Sequence, residues 1–248
     1  MRIRHAFVLT SLLAVLSPST ARAEAPWVPI QPGARLNLLP GTCTANFVFA
    51  SGDERFIGTA GHCVGVGRRI ADASGVPFGT VVFSVNAYPA LDFALIQIDA
   101  NRLADVSPSM RVWGGPTGVA KTGPITSETT LPGTPLRQHG YGTTWREYEQ
   151  TQRRTGVLGS VPTTIWSGYL PCSGGDSGSG VILASGEALG VLDVALLAPG
   201  ALHQQIQDVI GKASPECGGS TMTYVLDRLR TAGYTDIELM TAPLAPLV

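Results

Sequence analysis

Charge is scarce in this 248-residue chain: 14% of its residues are Asp, Glu, Lys or Arg, against 44% hydrophobic. That balance excludes the disordered class, which needs many charges and few apolar side chains. A basic excess is missing too, with 17 basic and 18 acidic residues, so nothing points to a nucleic-acid partner. The pair Arg153 and Arg154 is interleaved with Glu147 and Glu149 and reads as a solvated loop or hairpin. No apolar run is long enough to span a bilayer as a helix; "AFVLTSLLAVL", residues 6–16, falls well short. No C-x-x-C pair has zinc-finger spacing, which argues against a structural zinc site, and no internal repeat is visible.

What is present begins with an export signal. Arg2 and Arg4 precede the apolar run, and "SPSTARA" follows with Ala21 and Ala23 in an A-x-A pattern, so residues 1–23 read as a secretory signal peptide. The mature chain is expected to begin near Glu24 as a soluble exported protein, with 14 basic against 18 acidic residues. Whether the host secretes it fully or keeps it in a periplasm is open at this stage. Four cysteines, all beyond the signal, suit two disulfides in an oxidising compartment, with three possible pairings.

The mature chain reads as all-β. "ANFVFA" (45–50), "GTVVFSV" (79–85), "DFALIQI" (92–98), "RTGVLGSV" (154–161), "SGVILA" (179–184) and "ALGVLDVALL" (188–197) are apolar or β-branched runs of strand length. Turns such as "SGDE", "SGVP" and "SGE" punctuate them. One helix is predicted over "TYVLDRLRTAG" (223–233), where Val225, Leu226 and Leu229 share a face and Gly233 supplies a stop. A weaker helical pattern covers 203–212, and the Gly-, Pro- and Thr-rich stretch from Trp113 to Gly133 reads as a crossing between two halves.

Three short motifs carry chemistry: "GTAGHC" (58–63), "LDFALIQI" (91–98) and "GGDSGSG" (174–180). Singly, His62 reads as a loop histidine, Asp92 as a strand-opening aspartate and Ser177 as a glycine-loop serine. Together, in that order, in an exported all-β chain with paired cysteines, they make an accident improbable. An α/β-hydrolase elbow needs G-x-S-x-G, which neither Ser177 nor Ser179 satisfies. The Gly-Asp-Ser lipases carry their motif early, whereas here it is late and no D-x-x-H follows.

On these residues the chain resembles the chymotrypsin-like (trypsin-fold) serine proteases, nearer the small secreted bacterial members. The resemblance implies two antiparallel six-stranded β-barrels, one at about residues 40–115 and the other at about 125–235, with a C-terminal α-helix. It implies Ser177 as nucleophile, His62 as general base then acid, and Asp92 as the anion that orients the imidazole. The N–H groups of Gly175 and Ser177 would form the oxyanion hole. It pairs Cys43 with Cys63 and Cys172 with Cys217, the second bridge joining the nucleophile loop to the pocket wall. No cofactor or catalytic metal is implied, the partner is a polypeptide substrate, and the protein is expected to be a monomer. A catalytically inactive binding or adhesion protein of the same fold is the alternative.

The sequence departs from the family pattern in three places. No "IVGG"-like start lies between Glu24 and Gly41, so a new chain-start ammonium is not expected to pair with the buried Asp176; Arg137 in "LRQHGYG" is the candidate cation. The pocket base falls on Leu170 or Pro171, neither acidic, which argues against a preference for Lys or Arg. Asp193 falls where the family often has a serine facing the catalytic aspartate. Either the register is off by one and Asp193 points elsewhere, which is the favoured expectation, or two carboxylates share the site and the pH profile is unusual.

Overall fold

The structure is a computed structural model and describes residues 28–38, 41–87, 91–123, 130–142, 152–161, 163–195 and 214–246. The expected signal peptide and the weak helical pattern at 203–212 lie outside these residues.

The first half of the described chain alternates short strands with turns. These are β1 (Arg35–Leu38), β2 (Gly41–Thr44), β3 (Val48–Ser51), β4 (Glu54–Thr59), β5 (Arg69–Ala71), β6 (Pro77–Ala87) and β7 (Leu91–Ile98). The second half carries β8 (Pro135–His139), β9 (Arg153–Ser160), β10 (Ile165–Cys172), β11 (Gly180–Leu183), β12 (Ala188–Val191), β13 (Val194–Ala195) and β14 (Ser214–Ser220). Helix α1 (Met222–Thr231) and β15 (Glu238–Leu239) close the chain. Every strand pairing is antiparallel, in two sheets: eight strands in the order β15-β3-β4-β7-β6-β5-β1-β2, and seven in the order β12-β11-β8-β9-β10-β14-β13. The fold class is therefore the one expected, two sheets of the trypsin-like plan with a late helix, but with eight and seven strands among the described residues in place of six and six.

One strand of the first sheet comes from the C-terminal segment. β15 pairs with β3, Glu238 opposite Ala50, so the C-terminal segment straps the two halves together. The break predicted least well is at 188–197, read as one strand. Leu192 and Asp193 interrupt it: Asp193 N–H donates to Gly218 O at 3.0 Å, and β13 then pairs with β14.

Burial follows the alternation the sequence displays. Strand β7, buried along nearly its whole length, sits between β4 and β6 in the first sheet and carries Phe93, Leu95 and Ile96 fully enclosed. A second apolar cluster joins Phe47, Phe49, Phe56 and Phe93 to Ile182 and Val191 of the other sheet and to Val225, Leu226 and Leu229 of α1. This shared cluster fixes the two sheets against each other, which matters because their loops meet at the site. Thr221 caps α1, its Oγ1 accepting from Tyr224 N–H at 3.4 Å, and Gly233 at φ +108° follows its end.

Both expected disulfides are present, Cys43 to Cys63 and Cys172 to Cys217. The first spans 20 residues and anchors the turn that carries His62. The second ties neighbouring strands, joining Cys172 at the end of β10 to Cys217 of β14, which lies opposite Gly168. Replacing Cys43 and Cys63 together by Ala is expected to lower stability by about 3 kcal/mol through the larger entropy of the open unfolded chain. The check is a urea midpoint shifted down, with m raised because the unlinked unfolded chain exposes more surface.

Candidate active site

His62 stands on the 3-10 turn Gly61–Cys63 between β4 and β5, and Asp92 is the second residue of β7. Asp92 is buried, whereas the His62 side chain keeps 34% of its surface exposed. The two are joined twice: His62 main-chain N–H donates to Asp92 Oδ1 at 2.8 Å, and His62 Nδ1 lies 2.5 Å from Asp92 Oδ2. A carboxylate only accepts, so Nδ1 donates to it, and in the neutral ring the lone pair then lies on Nε2. Gly61 is required here, because a Cβ on it would run into Val85 O. The turn thus lies flat against β6 and delivers the ring to the rim between the sheets.

Ser177, half-buried, sits in the turn between β10 and β11. Three close approaches bring that turn to the His62 side. Thr44 N–H donates to Ser177 O at 2.9 Å, and Thr44 Oγ1 donates to Gly175 O at 2.9 Å. Gly178, at φ +86°, lies so close that a Cβ would strike Thr59 Oγ1 and Ala60 N, two residues before His62. Tyr141 N–H donates to Thr44 Oγ1 at 2.9 Å, joining the loop after β8 to the same point. Among the described residues no hydrogen bond joins Ser177 Oγ to His62; such contacts are often long before a substrate tightens them. Gly175, at φ +105°, adopts a conformation open to glycine, and its N–H and that of Ser177 make no backbone hydrogen bond with described residues. The set can do nucleophilic chemistry: a hydroxyl, a base oriented by an anion, and spare amide donors.

Asp176 is fully buried beside the nucleophile. Its cation is Arg154, with Nη1 at 2.5 Å from Oδ1, and not Arg137. Gly142 N–H and Ser173 N–H add bonds of 2.8 Å each. Burial pushes the Asp176 carboxyl up, and the Arg154 charge and those two N–H groups pull it back. The correction has a simple origin in strand alternation. In the pairing of β8 with β9, Gln138 faces Arg154 and both point inward; Arg137 is one residue off and points outward, stacking on Trp113 at 5.2 Å. The same alternation splits the pair read as a solvated basic loop: Arg153 is exposed over Trp113, while Arg154 is buried with 4% of its surface accessible.

The pocket residues fare unequally. Leu170 is fully enclosed in the core with Trp166, Cys172 and Cys217, and Pro171 is exposed. Asp193 lies under Asp92 and does not point elsewhere, which overturns the favoured expectation of a register slip: it is buried, and the Asp92 charge acts on it. Ser220, which no local sequence signal singled out, links the two. Its Oγ accepts from Asp92 N–H at 3.3 Å and donates to Asp193 Oδ2 at 2.8 Å. Thr44 is a second residue the sequence did not reveal, because its role is a contact between two sheets.

No protein-family model matches the chain, and no curated protein does. Among solved structures, the chain is similar to Thermobifida fusca Protease A, at 20% identity and a TM-score of 0.56, over 86% of this chain and 98% of that one. A glutamic acid specific serine protease matches at 17% identity with a TM-score of 0.58, over 81% of this chain and 97% of that one. Nocardiopsis Protease matches at 16% identity with a TM-score of 0.53, over 85% and 98%.

Proposed function

We propose that this chain, which has the trypsin-like fold of small bacterial serine proteases, is a secreted serine-type endopeptidase working through an acyl-enzyme. The observation that carries the reading is the doubly bonded His62–Asp92 pair at the rim where the Ser177 turn is packed against Thr44 and Ala60. In this reading Ser177 Oγ attacks the scissile carbonyl while His62 Nε2 takes its proton. A C–O bond forms, the carbonyl becomes an oxyanion held by Gly175 and Ser177 N–H, and His62 then gives the proton to the leaving amine. Water repeats the cycle on the ester and frees the acid product. Asp92 stays ionised and stabilises the imidazolium.

Export is supported by the two disulfides, and no helix among the described residues is long and apolar enough to cross a membrane. Asp176 needs no chain-start ammonium, since Arg154 is supplied from within, and residues 28–38 are packed into the first sheet with Ile30 buried. A new chain start is therefore not needed to assemble the nucleophile turn.

A fluorophosphonate probe on the purified protein tests the reading. Labelling is expected at Ser177, found by peptide mass spectrometry, and absent in Ser177→Ala and His62→Ala. A folded, disulfide-bonded sample that takes no label sinks the enzyme reading in favour of a binding protein of this fold.

A further inference from the structure

Asp193 is the buried titratable group that the triad does not use. Its two oxygens are unlike. Oδ2 accepts twice, from Ser220 N–H at 2.7 Å and from Ser220 Oγ–H at 2.8 Å, while Oδ1 is buried and finds no hydrogen-bond partner among the described residues. A neutral carboxyl group fits this setting at the lower cost: Oδ2 stays the carbonyl acceptor, and Oδ1 leaves one uncharged hydroxyl unpaired in place of an unpaired charge. A carboxylate would instead present two acceptors, one orphaned, with no cation bonded to it and a second carboxylate, Asp92, close by.

We propose that Asp193 is a positioning residue that acts as the neutral acid, holding Ser220 so that the Ser220 hydroxyl accepts from Asp92 N–H and fixes Asp92 under His62. The inference rests on the peptidase reading for its kinetic consequence, and not for the state of the carboxyl group itself. Desolvation first, and the Asp92 charge second, push the Asp193 carboxyl well above the ordinary aspartate range. The titratable groups on the elements packed against it are Asp92 on β7, with His62 beyond it, and Glu216 on β14; β12 brings none. When Asp193 ionises at high pH, two buried carboxylates repel across Ser220 and the support of Asp92 loosens. The direction for stability is equally definite. Between the unfolded aspartate value near 3.9 and the raised folded value, the native state holds the extra proton, so stability falls as pH rises through that window and then levels.

The test combines a carboxyl titration with kinetics on the full mature chain. Carbon-13 NMR of aspartate carboxyls, with the Asp193 signal assigned by its loss in Asp193→Asn, is expected to show a resonance titrating well above the other aspartates. A resonance that titrates in the ordinary range overturns the proposal. In kinetics on casein, the wild type is expected to lose kcat/KM at alkaline pH as that resonance titrates. Asp193→Asn, which keeps the acceptor for Ser220 and cannot ionise, is expected to hold its activity there and to stay within about threefold of wild type below it. Asp193→Ala, which keeps no acceptor, is expected to lose about tenfold in kcat at every pH with KM little changed. An alkaline limb identical in wild type and Asp193→Asn overturns the positioning role. A raised titration together with no hydrolysis at any pH, and no fluorophosphonate label, supports the neutral carboxyl group and rejects the peptidase reading instead.

Discussion

Asp92→Asn is expected to lower kcat by about 10⁴-fold while leaving the protein folded, because an amide at this place reverses the tautomer of His62. In the structure both Asp92 oxygens accept from His62, one from its main-chain N–H and one from Nδ1. Asn has one accepting oxygen. If that oxygen keeps the main-chain bond, its NH₂ faces Nδ1, the ring hydrogen moves to Nε2, and the lone pair needed to take the Ser177 proton is gone. The size of the residue is unchanged, so the urea midpoint should move little. Hydrolysis of a peptide ester or amide measures the effect, and a loss below about tenfold would mean that Asp92 serves only the fold.

The second large effect falls on stability. Arg154→Met is expected to cost about 3–5 kcal/mol, because it leaves the fully buried Asp176 carboxylate without its cation. Arg137→Met should cost no more than about 1 kcal/mol, the worth of a stack on a partly exposed Trp113. Urea denaturation of the two variants separates the assignments, and the reverse ranking would restore Arg137 as the partner. Adding Asp176→Asn to Arg154→Met should return part of the loss, since the pair then no longer leaves a buried charge alone. Where Arg154→Met still folds, its kcat reports how far the Gly175–Ser177 turn depends on the pair.

Local patterns in the sequence announced β3, β6, β7, β9, β11 and the β12–β13 segment, and left β1, β2, β4, β5, β8, β10, β14 and β15 unmarked. β6, β7, β9 and β11 are found within a few residues of the apolar runs that announced them, and α1 begins one residue before its predicted start. β10 and β14 were missed because "IWSGYLPC" and "SPECGGS" are rich in Gly, Pro, Ser and Cys, residues that strand propensity disfavours or ignores. Their glycines are there for close approach: a Cβ on Gly168 would lie 2.7 Å from Val157 O, and one on Gly219 would strike Val191 O. A glycine chosen because another backbone passes at contact distance looks, in sequence, like a turn.

The sequence by itself determined the chemistry that short motifs can carry: His62, Asp92 and Ser177 in order, the cysteines, an all-β chain and one late helix. These are local, since each depends on residue types and on spacings of a few positions. Only the tertiary structure decided which arginine meets Asp176, because strand alternation sets Gln138 and Arg154 inward and Arg137 outward, and a shift of one residue reverses both. It also decided that Ser220 of one sheet holds Asp92 of the other while Asp193 sits beneath them. Partners 128 residues apart along the chain leave no trace in any local pattern, because packing brought them together.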